Sequence, residues 1–137
     1  MKIEEQVLSI EQMKHLQELG VDTSDASMVW IKQDSTLLPD NIKELWWVDT
    51  YYDSLKPMVE QEDSGFVQTY TIGDLIEKLP KHFYIKEAQI SMVALNGSGA
   101  FQVWYDKVPK SNKSDGTIKN ALYKLLCWVA ENHKELL

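Results

Sequence analysis

The strongest helical pattern in the chain is TIKNALYKLLCWVAENH, from Thr117 to His133. Apolar residues recur along it every three or four positions, as one face of an α-helix requires. They form a single stripe, made of Ile118, Ala121, Leu122, Leu125, Leu126 and Val129. A helix with one apolar stripe buries that stripe against another layer of structure. The pattern therefore predicts a long C-terminal helix packed on one face of a sheet.

The segment before this helix has the pattern of a β-hairpin. Residues 83–95 and 100–106 contain the alternation of side chains that is typical of paired strands. Between them, Asn96-Gly97-Ser98-Gly99 supplies residues that adopt the positive φ of a tight turn. The polar, lysine-rich stretch from Lys107 to Gly116 is interpreted as the connection from the hairpin to the helix.

Two shorter helices are predicted earlier in the chain. Ser9 and Gln12 have the spacing of a capping box, in which each side chain satisfies a backbone N–H of the other residue. Apolar residues at helical spacing then continue to Leu19. Thr71 is placed to cap a second helix over Ile72–Leu79, which presents one apolar face.

Three further strands are predicted between these helices. Met28–Ile31 is a short apolar run, Leu45–Tyr52 is aromatic and β-branched, and Phe66–Tyr70 forms a brief third strand. We expect the first two to pair. Because Leu45–Tyr52 carries aromatic side chains on both faces, we expect it to be central in the sheet or covered on both sides. The acidic segment Asp53–Gly65 has no sustained period and is predicted to be a loop.

The chain of 137 residues fits one domain, residues 1–137, since domains of about 100–150 residues are the commonest. Strands joined by hairpins rather than by helical crossovers favour antiparallel pairing. We therefore predict an α+β fold with a mainly antiparallel sheet of about five strands and two to three helices, the long C-terminal helix lying on one face.

The charge distribution argues against nucleic acid as a partner. The net charge is −7, and all fourteen basic residues are lysines. Affinity for nucleic acid depends on neutralising phosphates, and arginine is the usual fork-shaped donor for phosphates and guanine edges. The N-terminus is polar, and no apolar run is long enough to span a membrane. We therefore expect a cytoplasmic protein that binds neither nucleic acid nor membrane.

No metal, cofactor or catalytic site is predicted. His15, His82 and His133 fall in unrelated elements, so no local pair begins a zinc site. The lone Cys127 lies opposite the apolar stripe on a helical wheel, near lysines. Two interpretations stay open for it: a small residue packed by a loop or partner, or a partly activated, reactive thiol. No histidine is placed in sequence to act as its base.

Four aromatic residues form the candidate interaction site: Trp46, Trp47, Tyr51 and Tyr52. Adjacent residues of a strand point to opposite faces, so one tryptophan can join the core while the other meets a helix, a partner or solvent. Tryptophan and tyrosine anchor many protein interfaces and also form stacking platforms for sugars. The alternatives are a sheet covered on both faces, a protein interface and carbohydrate stacking.

Both ends of the chain carry motifs of a known group of proteins. The residues concerned are Leu8–Met13, His15-Leu16, Glu18–Ser24, Ala26–Trp30, Leu79-Pro80, Leu126-Cys127-Trp128 and Glu131-Asn132. In these the chain resembles a group of short uncharacterised proteins from gut commensal bacteria. The resemblance implies an association with prophage-like or other mobile elements, and it supplies no catalytic residues.

The leading functional hypothesis is a non-enzymatic accessory protein that acts through contact with a protein partner. It rests on the acidic, arginine-free composition and on the surplus of tryptophan and tyrosine. An inhibitor or immunity-type protein that neutralises a basic toxin or nuclease is the main alternative, because negative charge would steer that association. An enzyme using Cys127 and self-association as a homodimer also stay open.

Overall fold

The computed structural model describes residues 2–42, 44–84, 86–87, 89–95 and 99–137. Its α-helices are α1 (Ile10–Glu18), α2 (Lys56–Glu60), α3 (Ile72–Lys78) and α4 (Ile118–Asn132). Its strands are β1 (Met28–Lys32), β2 (Trp46–Thr50), β3 (Phe66–Thr69), β4 (His82–Phe83), β5 (Lys86–Glu87), β6 (Ile90–Leu95), β7 (Ala100–Tyr105) and β8 (Lys113–Asp115). In the described residues no helix is long and apolar enough to cross a membrane.

The helices begin at the residues that the local sequence predicts. The Ser9 hydroxyl accepts a hydrogen bond from the Gln12 N–H at 3.1 Å, and the side-chain oxygen Oε1 of Gln12 accepts the Ser9 N–H at 2.9 Å. Thr71 and Asp74 form a second reciprocal pair, with both bonds at 3.0 Å. At the start of α4 the Thr117 hydroxyl accepts the Asn120 N–H at 3.1 Å. The caps predicted at Ser9 and Thr71 are therefore confirmed, and Thr117 caps α4 in the same way.

The first sheet has the order β2-β1-β3, and all its pairs are antiparallel. The predicted pairing of the first two strands is confirmed: Trp30 lies opposite Val48 on one side and opposite Val67 on the other. The expectation that the aromatic strand is central is wrong, because β1 is central and β2 lies at the edge. Cover on both faces, the other alternative, does not agree with Trp47, which is 38% exposed. The cause is visible in β2 itself, since Asp49 and Thr50 are exposed and interrupt its apolar run.

The second sheet has the order β6-β7-β8. The predicted hairpin is confirmed by the register, which places Leu95 opposite Ala100 and Ile90 opposite Tyr105. Of its predicted turn, Asn96-Gly97-Ser98 lies outside the described residues. The polar connection after the hairpin contains the short strand β8, which pairs with β7 and precedes α4.

The main core lies where α4 meets the second sheet and the other helices. α4 packs against β7 and β8 and also contacts α1 and α3. The stripe residues Ala121, Leu122, Leu125, Leu126 and Val129 are all buried. The predicted α+β class, antiparallel pairing and packed C-terminal helix are therefore confirmed. The strands are divided between two three-stranded sheets, with β4 and β5 forming a small separate ladder.

The acidic segment predicted as a loop contains regular structure. A 3-10 turn over Asp53–Leu55 leads directly into α2, and Pro57 lies in its first turn, where a missing N–H costs no helical hydrogen bond. α2 then packs beside β3. The absence of an amphipathic period is consistent with a helix of only five residues, which is too short to show one.

Candidate functional site

The two edges of the first sheet differ in how they are covered. Beside β3, side chains of α1 and α2 line a groove, and an isolated bridge joins Val7 to Thr71. In the described part of the chain, β2 makes its main contacts with β1 and with the 3-10 turn Ile3–Glu5. The β2 side of the sheet is therefore the more open edge, and edges of this kind are where other chains can pair.

The N-terminal segment crosses one face of the first sheet and reaches β2. The carbonyl oxygen of Leu8 accepts hydrogen bonds from Trp30 Nε1 at 2.9 Å and from Thr69 Oγ1 at 2.7 Å. Trp30 and Thr69 share a face with Val48, because the register aligns them across the sheet. The segment that runs back from Leu8 to the turn beside β2 therefore crosses this face, and Val48 beneath it is buried.

The direction of the main-chain groups of β2 follows from its first and last bonds to β1. The Gln33 N–H donates to the Leu45 carbonyl at 2.7 Å, and the Tyr51 N–H donates to the Ser27 carbonyl at 3.0 Å. Hydrogen-bonded positions alternate along an antiparallel pair. The odd-numbered residues of β2 therefore face β1, and the main-chain groups of Trp46, Val48 and Thr50 face away from it.

One of these outward groups already has a partner within the chain. The Thr50 N–H donates to the Asp49 carboxylate at 2.7 Å. This bond occupies the end of the strand nearest Tyr51. The part of the edge that can accept a new neighbour therefore centres on Trp46 and Val48.

The four aromatic residues of the candidate site separate into two classes. Trp46 and Tyr51 are half-buried, whereas Trp47 is 38% exposed and Tyr52 is 63% exposed. The register places Trp47 opposite Ile31, on the face away from the N-terminal segment. None of the four belongs to the main hydrophobic core or packs on its rim.

Further exposed apolar residues lie beside β2. Leu45 is 50% exposed, and Leu37 and Ile42 are exposed on the connection from β1 to β2. Five of the nine large apolar side chains found exposed in the described residues thus lie between positions 37 and 52. We define the edge surface as Leu45, Trp47 and Tyr52 together with the outer side of β2.

The sequence pattern does not single out Leu37, Ile42 and Leu45. Leu37 and Ile42 flank the turn Pro39-Asp40-Asn41, where no helical or strand period indicates which side chains are buried. Leu45 belongs to the predicted strand, but it becomes exposed because that strand is an edge. Apolar residues on both sides of a turn next to an aromatic strand are the signal that could have found them.

Negative charge is concentrated around the edge surface. Between residues 33 and 65 the sequence has eight carboxylates and two lysines, a net charge of −6, while the whole chain carries −7. All eight carboxylates are exposed: Asp34, Asp40, Glu44, Asp49, Asp53, Glu60, Glu62 and Asp63. The edge surface therefore lies within the acidic part of an otherwise nearly neutral chain.

Cys127 is buried within α4, with 8% of its surface exposed. Burial raises the pKa of the thiol, and the nearby Glu131 carboxylate acts in the same direction. A hydrogen bond with Tyr123 on the same helix opposes them. Since the thiolate is the reactive form, this environment disfavours the reactive-thiol hypothesis, which stays a prediction.

The histidines are placed in different local settings. His15 lies 3.8 Å from the Glu18 carboxylate and edge-on to the Tyr123 ring. His133 ends α4, where its Nδ1 lies 3.0 Å from the Tyr84 hydroxyl. In the residues that the structure describes, no group of three or more His, Cys, Asp or Glu side chains is placed to hold a metal ion.

Tyr84 forms a second polar cluster that the sequence does not predict. Its hydroxyl donates to the Glu135 carboxylate at 2.6 Å, which raises the pKa of Tyr84 and lowers that of Glu135. The ring also contacts His133 edge-on. Through these contacts Tyr84 connects the turn after β4 to residues 133–135.

Comparison with known proteins finds no matching family model, no matching curated protein and no matching solved structure. The link to mobile elements that the resemblance implies therefore stays a prediction.

Proposed function

We propose that this protein acts without catalysis, through contact between its edge surface and a protein partner. The observation that carries the proposal is the exposure of Trp47 and Tyr52 at the open edge of the first sheet. Large aromatic side chains contribute much of the binding energy of protein interfaces once a partner removes them from water.

The composition of the surroundings fits an interface. Five of the nine exposed large apolar side chains of the described residues lie on or next to one edge strand, and charged residues surround them. An apolar centre with a polar rim is the usual arrangement of protein interfaces. Carbohydrate stacking uses the same residue types, but it gives no reason for the open main-chain edge.

A second candidate function is inhibition of a basic toxin or nuclease. The net charge of −6 between residues 33 and 65 favours it, because a concentrated negative field speeds association with a positive surface. The rate of such an association should fall steeply as salt is added. An accessory role in a mobile element is compatible with either candidate.

Affinity purification from the native cell tests the proposal with three forms of the tagged protein. They are the wild type, Trp47→Ala, and Met92→Ala as a matched control, since Met92 is an exposed apolar residue on a strand of the second sheet. Trp47→Ala should lose the co-purifying partner while keeping its thermal unfolding temperature near that of the wild type. Met92→Ala should keep the partner.

Two results would contradict the proposal. Co-purification of the same proteins with wild type and Trp47→Ala would show that the edge surface does not bind them. Failure of Trp47→Ala to fold would show that this side chain is part of the protein's own packing.

A further inference from the structure

In the described residues β2 has a neighbouring strand on one side only, and its outer side presents main-chain groups in the geometry of a sheet edge. The N–H and C=O groups of Trp46 and Val48 point away from β1, because the bonds of Leu45 and Tyr51 to β1 place the odd-numbered residues on the β1 side. An extended peptide can pair with such an edge, taking affinity from main-chain hydrogen bonds and specificity from alternate side chains.

The side chains beside this edge determine what kind of peptide can lie there. Asp49 and Asp53 are exposed at one end of the strand, and Glu44 is exposed at the other. Within the described part of the chain, Glu44 forms an ion pair with Lys32 at 3.1 Å, and neither aspartate forms an ion pair. Positive side chains on an incoming strand would therefore meet carboxylates near both ends, with Trp47 and Leu45 supplying apolar contact between them.

The same charge argues against a second copy of this chain as the occupant. Two β2 strands that paired across a two-fold axis would bring together two segments of net charge −6 each. Like charges brought together at such an interface oppose association. A basic partner gains from the same field.

Resting on the proposed function, we infer that the edge surface binds an extended, lysine- or arginine-rich segment of a partner protein, which joins the first sheet as a fourth strand beside β2. The main-chain groups of Trp46 and Val48 bond to this segment. Asp49, Asp53 and Glu44 select its basic side chains, and Trp47 covers its apolar ones.

Three synthetic peptides with blocked ends test the inference on the purified full chain. They are KVKVKVK, its acidic counterpart EVEVEVE, and KVKPKVK, in which a central proline removes a main-chain donor. Binding is followed at millimolar peptide by NMR, through the exchange of the Trp46 and Val48 amides with solvent. KVKVKVK should slow exchange at both amides by about tenfold or more, because pairing buries them in hydrogen bonds. The other two peptides should leave exchange unchanged.

Substitutions of Val48 test the role of the main chain. The Val48 N–H faces outward, so Val48→Pro removes a donor from the edge without removing a bond to β1. Val48→Ala is the matched control, because it shortens the side chain and keeps the N–H. KVKVKVK should still protect Trp46 in Val48→Ala and should no longer do so in Val48→Pro.

Charge reversal provides a second variant that does not depend on proline. Asp49→Lys combined with Asp53→Lys should switch the preference from KVKVKVK to EVEVEVE. Glu11→Lys combined with Glu77→Lys, at exposed positions on α1 and α3, should leave the preference unchanged. If Val48→Pro fails to fold, the comparison of these two double variants tests the inference instead.

Defined results would overturn the inference. These are no protection by KVKVKVK, equal protection by EVEVEVE, or binding that Val48→Pro and the reversal at Asp49 and Asp53 both leave intact. A dimer seen by sedimentation that Val48→Pro abolishes would instead assign the edge to a second copy. If Trp47→Ala loses a cellular partner but KVKVKVK gives no protection, the proposed function stands and strand addition is wrong. If KVKVKVK protects the edge but Trp47→Ala keeps the cellular partner, the proposed function is wrong and strand addition stands.

Discussion

Cys127 shows how the same side chain can be read differently from a helical wheel and from the folded chain. The wheel places it among lysines, opposite the buried stripe. In the structure the thiol is buried with the core and hydrogen-bonded to Tyr123. A helical wheel does not include the elements that pack around the helix. In the structure α4 is contacted by α1 and α3 in addition to the second sheet.

The raised pKa of Cys127 predicts slow alkylation in the native state. At pH 8 iodoacetamide should modify native Cys127 on the order of tenfold more slowly, or slower still, than the same residue in urea, because both burial and the smaller thiolate fraction oppose the reaction. Mass spectrometry of timed samples measures both rates. Equal rates in the two states would support the reactive-thiol hypothesis instead.

The same shift in the Cys127 pKa affects the pH dependence of folding. Because the folded pKa lies above the unfolded value, this contribution to stability is complete below an unfolded pKa of about 8.5 and is lost as the pH rises through the folded pKa. The free energy of unfolding should therefore fall above about pH 8.5, and Cys127→Ala should lessen that fall. An identical alkaline slope in the two proteins would contradict the assignment.

At the scale of the element, Asp74 joins the start of α3 to the loop before β1. Its carboxylate accepts the Thr71 N–H at 3.0 Å, and the same oxygen accepts the N–H and hydroxyl of Ser27 at 3.1 and 2.6 Å. The residue is therefore both a helix cap and a tertiary contact. Substituting Asp74 therefore removes the hydrogen bonds from Ser27 as well as the helix cap.

We expect Asp74→Ala to lower the free energy of unfolding by about 2 kcal/mol, more than Thr71→Ala, which should cost about 1 kcal/mol. The difference arises because Thr71→Ala leaves the bonds from Ser27 in place. Urea denaturation of both variants measures it. Equal losses would mean that the bonds between Asp74 and Ser27 contribute no stability.

The elements differ in how far the sequence could predict them. The caps at Ser9, Thr71 and Thr117 involve residues three apart, so local spacing is sufficient. β8 could not be predicted, because Lys113–Asp115 has no apolar alternation and becomes a strand only by pairing with Phe101–Val103 of β7. Sheet order has the same limit, since it depends on which distant segments pair with β1.

The candidate site repeats this division. Composition and strand pattern are sufficient to select Trp46, Trp47, Tyr51 and Tyr52. The exposure of Trp47 and the outward direction of the Val48 main chain depend on β3, rather than β2, occupying the helix-covered side of β1. Tertiary packing determines which strand lies at the open edge, and the sequence of the aromatic segment does not indicate it.

At the scale of the whole molecule, the core and the edge surface occupy different parts of the fold. The main core gathers around α4 and the second sheet, while the open edge, its exposed aromatics and most of the net charge belong to residues 33–65 and the strand β2 within them. This separation lets the edge surface change without loss of the core. A binding function there therefore makes little demand on folding stability.

Amide hydrogen exchange along β2 in the free protein tests the open edge most directly. An open edge predicts an alternation: the Trp47, Asp49 and Tyr51 amides, which face β1, should exchange slowly, and the Trp46 and Val48 amides should exchange much faster. Residue-resolved NMR in deuterated water measures all five. Uniform protection along the strand, or slow exchange at Trp46 and Val48, would show that the edge is already covered and would contradict its role as a binding edge.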